Sequence, residues 1–245
     1  MPLPETWNDN ALPDWAAEIQ KASPYAPDKP DREERLRKFL AGYCGMVKLI
    51  DDCVGRIRST LEELKILDTT VIVFTTDHGD YAGEHGFHAK NHLYEGVYRI
   101  PLIIRWPAKI SAGIALDQVT STVDFQPTVL RLMGFEPYGR EQGRDASGLL
   151  EGRRMTWDNS AFLHHSHHHA AGVFTDAFEL ALVRDRQAIL FDRIHDPHQK
   201  RNLFENPGYA AVRDALVRRV VDHHVSVGSP AAEWLSVLPG PERKA

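Results

Sequence analysis

An aspartate and a histidine stand side by side directly after an apolar run, where their side chains could bind a cation. Asp77-His78-Gly79 follows the run at residues 71–74, separated from it only by two threonines. A carboxylate offers oxygen to a hard cation, and an imidazole adds a nitrogen or a second polar contact. Gly79 lets the backbone turn away without a side-chain clash, and Lys90 could bring a flexible ammonium to an anionic ester. Asp-His-Gly alone is a weak signal, because polar residues often end a strand.

The elements around this motif predict an α/β fold. The run at residues 71–74 is apolar and β-branched without alternation, which predicts a strand buried on both faces of a parallel sheet. Ligands of such sheets bind beyond the carboxyl ends of the strands, where Asp77 and His78 fall. Residues 100–106 predict a second buried strand. An apolar stripe from Leu36 to Leu64 predicts a long amphipathic helix that packs against a core.

The flanking segments predict less regular structure. Residues 1–30 contain six prolines and are expected to be irregular and to run over the surface. Residues 136–172 are rich in Gly, Arg and polar residues, which predicts loops, and the histidine cluster His164–His169 is expected to be a solvated loop. Alternation in ELALVRD and QAILFDRI predicts two antiparallel strands. A helix is predicted over residues 209–225, with His223 and His224 near its end complementing the helix dipole.

Composition limits the class of protein. The 245 residues are 42% hydrophobic and 26% charged, with a formal net charge of -5, which is typical of a globular protein and does not favour a nucleic-acid partner. Two cysteines make no disulfide framework, which favours a reducing compartment. No apolar run is long enough to span a membrane, and the first thirty residues lack the apolar core of a signal peptide. We therefore expect a cytoplasmic protein with no membrane partner.

Several linked motifs make the chain resemble the sulfatases of the alkaline phosphatase superfamily. From Tyr43 to Pro107 the order is IDDCVGRIRSTLEEL, DTTVIVFTTDHGD, GEHGFHAKNHLYEG and RIPLIIRWPAKISAG. Later, VDFQPTVLRLMG and RIHDPHQKRNLFENPGY resemble elements of the carboxyl-terminal half of the family. The resemblance implies part of the family's mixed sheet between helices, followed by a small antiparallel sheet with a carboxyl-terminal helix. It places the carboxyl-terminal part of the α/β catalytic domain at residues 1–150 and a small α+β subdomain at residues 151–245.

The resemblance also implies roles for three residues. Asp77 and His78 match the pair that binds Ca²⁺ in sulfatases, and Lys90 matches the lysine that contacts the sulfate group. His85 and His88 lie in the same loop and could line the pocket, without an assigned step.

Other parts of the family's site have no match in this chain. The family's nucleophile is a formylglycine made from the Cys or Ser of C-x-P-S-R, and neither Cys44 nor Cys53 lies in that motif. The early metal-binding Asp-Asp pair and the upstream leaving-group histidine also lack a match. Asp51 and Asp52 belong to the long helix, where adjacent side chains point apart. No catalytic residue is therefore assigned here, and the expected partner is the missing amino-terminal half.

Three functions stay open at this point. The first is a sulfatase acting on a small-molecule or saccharide sulfate ester, with negligible turnover by these 245 residues alone. The second is a phosphodiesterase or phosphonate hydrolase of the same superfamily, with a different nucleophile. The third is a non-catalytic remnant or a partner subunit. The sequence names neither the ester nor the oligomeric state.

Overall fold

The computed structural model describes residues 1–90, 93–165 and 169–237, and the chain divides into two compact units. Unit 1 comprises Met1–Leu12 and the described residues of Ala16–Ile114. Unit 2 comprises Pro13–Trp15 and the described residues from Ala115 onward. The assignment of a catalytic domain up to residue 150 and a subdomain after it stays a prediction.

The first part of the chain has three helices and two short strands. They are α1 (Asp14–Ala22), α2 (Arg32–Glu63), β1 (Ile72–Thr75), α3 (Glu95–Tyr98) and β2 (Leu102–Arg105). Residues 1–30 were predicted to be irregular and to run over the surface, and this prediction was wrong. This segment contains α1, and Tyr25 and Ala26 are buried. The prolines permit this helix because Pro13 precedes its first residue and Pro24 follows its last.

Strand β1 pairs with β2 in antiparallel register, with Ile72 opposite Arg105 and Thr75 opposite Leu102. The expectation of a parallel, doubly buried strand is therefore wrong for the described residues. Phe74 is 37% exposed and Ile103 is 62% exposed. An apolar run indicates that a strand can be buried. Which strands pair with it, and which elements pack on its faces, depends on other parts of the fold.

Helix α2 is confirmed, and it runs for 32 residues. Its apolar stripe is not in a core, however, because Leu36 is the helix residue that is buried. Further along, Val47, Ile50, Ile57 and Leu64 are 50–61% exposed. The periodicity thus predicted the helix correctly and its packing wrongly. No helix in the described ranges, α2 included, is both long and apolar enough to cross a membrane.

The second part of the chain contains a four-stranded sheet and several helices. They are α4 (Phe125–Leu132), α5 (Ser147–Leu150), β3 (Ser160–His165), β4 (Ala170–Thr175), β5 (Phe178–Val183), β6 (Ile189–Asp192), α6 (Ala210–Ser226) and α7 (Ala232–Leu235). The strands pair antiparallel in the order β3-β4-β5-β6. This confirms the predicted β5–β6 pair and the helix α6. The prediction of loops over residues 136–172 was wrong, since β3, α5 and the start of β4 lie there.

The core of unit 2 forms where α6 packs against β4 and β5. Strand β4 is buried along its whole length. The buried cluster consists of Ala171, Val173, Leu180, Leu182, Ala188, Leu190, Leu203, Leu216, Val220, Ala231, Trp234 and Leu235. Removal of this apolar surface from water stabilises the sheet and orients the residues at the ends of β3 and α6.

Candidate functional site

Asp77 lies just beyond the end of β1, where its carboxylate is 81% exposed. Its Oδ1 accepts hydrogen bonds from the His78 backbone N–H at 3.0 Å and from Thr76 Oγ1 at 3.2 Å. Slight desolvation would raise the pKa of Asp77, but backbone N–H groups and the neighbouring His78 outweigh it and hold that pKa below its usual range. The carboxylate is therefore ionised and open to a ligand at neutral pH.

The backbone fixes the tautomer of His78. Its Nδ1 lies 2.8 Å from the carbonyl oxygen of Gly79, which can only accept, so Nδ1 carries the proton of a neutral ring. The Nε2 lone pair then faces Lys90, whose Nζ lies 2.5 Å away. Asp77 Oδ2 is 3.3 Å from the same nitrogen. The three residues singled out in the sequence thus lie together at the end of β1.

Gly79 is required by a close approach of two backbone segments. Its N–H donates to the carbonyl of Val97 at 2.8 Å. A Cβ on Gly79 would lie 2.1 Å from the carbonyl oxygen of Gly96, which no side chain can relieve. Helix α3 therefore packs directly against the backbone that carries Asp77 and His78.

A buried contact between a histidine and an aspartate holds the loop between β1 and α3. His85 Nδ1 lies 2.8 Å from Asp9 Oδ2, and these two side chains are 3% and 8% exposed. The backbone N–H of His85 donates a hydrogen bond to Thr6 Oγ1 at 3.0 Å. Gln20 Nε2 donates to the carbonyls of Asp9 and His85, both at 2.7 Å. His85 therefore anchors this loop to the segment of residues 6–20.

Burial opposes ionisation of Asp9, but its hydrogen bond and charge contact with His85 outweigh burial and lower the pKa of Asp9. His88 is exposed and meets Tyr25 and Phe39 edge-on, with ring centroids 5.8 and 6.4 Å apart. The role of Asp9 was missed because a contact between residues so far apart in the chain leaves no local pattern.

The two cysteines and the Asp51-Asp52 pair all lie on α2. Cys44 and Cys53 are exposed and free. Asp51 and Asp52 are exposed too, and Asp52 pairs with Lys48 on the same helix. These positions agree with the helix surface expected for them.

Asp77 and His78 bring one carboxylate and one imidazole nitrogen to the end of β1. Within residues 1–90, 93–165 and 169–237, no group of three or more His, Cys, Asp or Glu side chains is placed to hold a metal ion. Ca²⁺ usually takes six to eight oxygen ligands. The exposed carboxylate and the oriented imidazole fit as two ligands, the imidazole through Nε2, and further ligands would have to come from other residues.

The histidine-rich segment of unit 2 is partly a strand. His164 and His165 end β3, so the prediction of a solvated loop was wrong for them, and Ser166, His167 and His168 lie outside the described residues. The prediction that His224 complements the dipole of α6 was also wrong. His224 is 3% exposed. Burial, then the neighbouring His223 and His164, lowers the pKa of His224 to about 4, against a weaker opposite effect of the Leu163 backbone. The ring is neutral at pH 7.

Two family models match the chain. The sulfatase model covers residues 10–135, and the model for the carboxyl-terminal region of N-sulphoglucosamine sulphohydrolase covers residues 83–226. This chain belongs to the sulfatase family. The N-acetylglucosamine-6-O-sulfatase of Bacteroides thetaiotaomicron is 32% identical to it over 196 residues, which are 75% of this chain and 35% of that protein.

Solved structures show the same fold. A 2-O GAG sulfatase superimposes on 93% of the sulfatase chain with a TM-score of 0.79 at 17% identity, and 52% of that structure is covered. The phosphonate monoester hydrolase SpPMH of Silicibacter pomeroyi has a TM-score of 0.79 at 25% identity, with 94% of this chain and 50% of that one covered. The fold is the alkaline-phosphatase-like fold of sulfatases, as expected. The chain spans about a third to a half of the length of these relatives, and the matching region is the carboxyl-terminal one.

Proposed function

We propose that this chain supplies the cation- and sulfate-binding side of a sulfuric ester hydrolase, whose nucleophile comes from residues outside it. The observation that carries the proposal is the meeting of Asp77, His78 and Lys90 at the end of β1 in a chain of the sulfatase family. Membership of the family and the fold are established for this chain. The activity of the complete protein, its ester and its metal are the proposed part.

Each of the three side chains has chemistry that suits a sulfate ester. Asp77 and His78 Nε2 would hold the cation, and the hydrogen bond to Gly79 keeps the imidazole in the tautomer that presents this lone pair. A bound Ca²⁺ would supply positive charge next to the sulfate oxygens. Lys90 would add a mobile ammonium to the same oxygens, and it must then leave the His78 nitrogen that it contacts.

The exposed apolar surface of unit 1 supports a composite site. The stripe on α2 and the faces of β1 and β2 expose large side chains, among them Val47, Ile50, Ile57 and Ile103. Apolar surfaces of this kind usually mark a contact with another protein segment. Because the chain spans 35% of its B. thetaiotaomicron relative, we infer that the amino-terminal part of a sulfatase domain covers this surface. That part lies on the same polypeptide or on a second one.

The relatives support the proposed substrate class. One of them is named as acting on N-acetylglucosamine 6-O-sulfate groups, which favours a sulfated saccharide or a related small sulfate ester. The phosphonate monoester hydrolase has a similar fold, so phosphonate monoester or phosphodiester hydrolysis is the second candidate.

The decisive experiment co-expresses the chain with an amino-terminal sulfatase segment that carries C-x-P-S-R, in a host that makes formylglycine. Hydrolysis of 4-nitrophenyl sulfate is expected from the assembly and not from the chain alone. Lys90→Ala and Asp77→Asn should each lower kcat/KM by about 10²–10³-fold, since each removes charge aimed at the reacting group.

The matched controls are Lys29→Ala and Asp28→Asn, whose side chains are 39% and 72% exposed and lie away from the end of β1 in the chain. They should keep the activity. Equal activity of the Lys90 and control variants would refute the assigned roles. Faster hydrolysis of phenylphosphonate or bis(4-nitrophenyl) phosphate than of the sulfate would favour the second candidate.

A further inference from the structure

Unit 2 contains a pocket of about 590 Å³, and its lining residues do not include Asp77, His78 or Lys90. Its walls come from β3, the end of α6 with the residues that follow it, the segment before α4 and the loop around Arg144. A volume of this size suits a small ligand. The lining mixes carboxylates, a guanidinium, hydroxyls and an amide with aromatic and aliphatic groups, so a purely apolar ligand is excluded.

The carboxylates and the guanidinium of the pocket wall are already balanced. The buried Asp124 carboxylate accepts from Arg144 Nη2 at 2.9 Å. Asp158 accepts from Arg219 Nη2 at 2.7 and 2.8 Å and from Ser160 Oγ at 2.7 Å. Among the described lining residues, each Asp and Arg therefore has an opposite charge beside it. An anion such as sulfate finds no unpaired guanidinium there, and a neutral ligand is favoured.

His224 is a wall residue whose ring nitrogens are unsatisfied by strict hydrogen-bond geometry. Its side chain is buried, and the Leu163 backbone comes near enough to act on its pKa but does not complete a hydrogen bond at Nδ1 or Nε2. A neutral imidazole has one donor and one acceptor, and a hydroxyl group can satisfy either. His164 is exposed and meets His224 edge-on, with ring centroids 5.9 Å apart, and both residues line the pocket.

An aromatic pair stands beside these polar groups. Phe162 and His223 stack face to face, with centroids 3.8 Å apart and planes inclined by 4°. The Arg219 guanidinium lies over the Phe162 ring, 6.0 Å from its centroid, so the ring of His223 is the member of the pair left for a ligand. The negative face of an aromatic ring attracts the C–H groups of a sugar ring. Hydroxyls together with an apolar C–H face are the combination that saccharides present.

We propose that this pocket binds a neutral saccharide unit, with one sugar hydroxyl bonded to the His224 imidazole and the sugar ring against the ring of His223. The proposal rests on the pocket and its unsatisfied histidine, and it stands whether or not the chain forms a sulfatase active site.

The test uses the full chain and follows the imidazole Cε1–H signals by NMR during addition of N-acetylglucosamine. Saturable shifts of the His223 and His224 signals in the millimolar range are expected, and inorganic sulfate should produce none. His224→Leu, which removes the imidazole assigned to the sugar hydroxyl, should weaken binding by about 3- to 10-fold when it is followed through the His223 signal, as the loss of one neutral hydrogen bond does.

His164→Ala serves as the second variant, because this side chain is exposed on β3 and no sugar contact is assigned to it. It should keep sugar binding, and a loss of binding as large as that of His224→Leu would overturn the assignment to His224. Absence of saturable shifts with the sugar, or shifts with sulfate alone, would overturn the proposal. Shifts confined to residues of unit 1 would overturn it as well.

Discussion

Mild acid is expected to destabilise unit 2, because the buried position of His224 in the folded chain favours the neutral imidazole. The pKa of this ring is about 4 in the folded chain, and the ordinary value is 6.5. Between these values the unfolded chain holds more protons than the folded one, so the free energy of unfolding falls as pH falls. The contribution is fully present above pH 6.5 and is lost on the way down to pH 4.

The size of the effect follows from the two pKa values. At pH 5 the unfolded imidazole is almost fully protonated and the folded one is mostly neutral, which costs about 2 kcal/mol relative to pH 7. The full loss at lower pH is about 3 kcal/mol. Burial and then Arg144 also lower the pKa of His223, so that ring adds a contribution of the same sign. His164 on β3 and the pocket carboxylates Asp124 and Asp158 are the other titratable groups around the ring.

The assay is urea unfolding at pH 7, 6 and 5, followed by hydrogen exchange of the peptides that contain β4, β5 and β6. His224→Leu should flatten the pH dependence by about 2 kcal/mol between pH 7 and 5, whatever its stability at pH 7. His169→Asn, at an exposed position where Asn tolerates the left-handed backbone, should keep the slope of the natural chain. An unchanged slope in His224→Leu would show that the buried ring does not control this response.

Two further changes test the scaffold of the site. Asp9→Asn should destabilise unit 1 by about 1–3 kcal/mol in urea unfolding, because the buried His85 loses its charged acceptor, and Asp28→Asn on the surface should have no measurable effect. A neutral result at Asp9 would contradict the anchoring role of this pair. Gly79→Ala should lower the melting temperature, since its Cβ would overlap a backbone oxygen, while Gly55→Ala on α2 meets no atom and should raise stability by up to about 1 kcal/mol. Equal effects of the two glycine changes would exclude the close backbone approach.

The sequence by itself determined much of the local structure and the position of the candidate site. The apolar period predicted α2, alternation predicted the β5–β6 pair, and the Asp77 motif with Lys90 marked the residues that meet at the end of β1. These features depend on short stretches of chain, where side-chain spacing and turn residues act directly on the backbone.

Tertiary structure decided what each element contacts. The stripe of α2 is exposed although its pattern is that of a packed helix, and the apolar run of β1 pairs antiparallel with β2. Asp9 reaches His85, and His224 is buried at a helix end where a charged ring would have been favourable. Contacts of this kind join residues far apart in the chain. Their energy depends on burial and on which partner the fold brings close. The spacing of neighbouring residues in the sequence predicts neither of these.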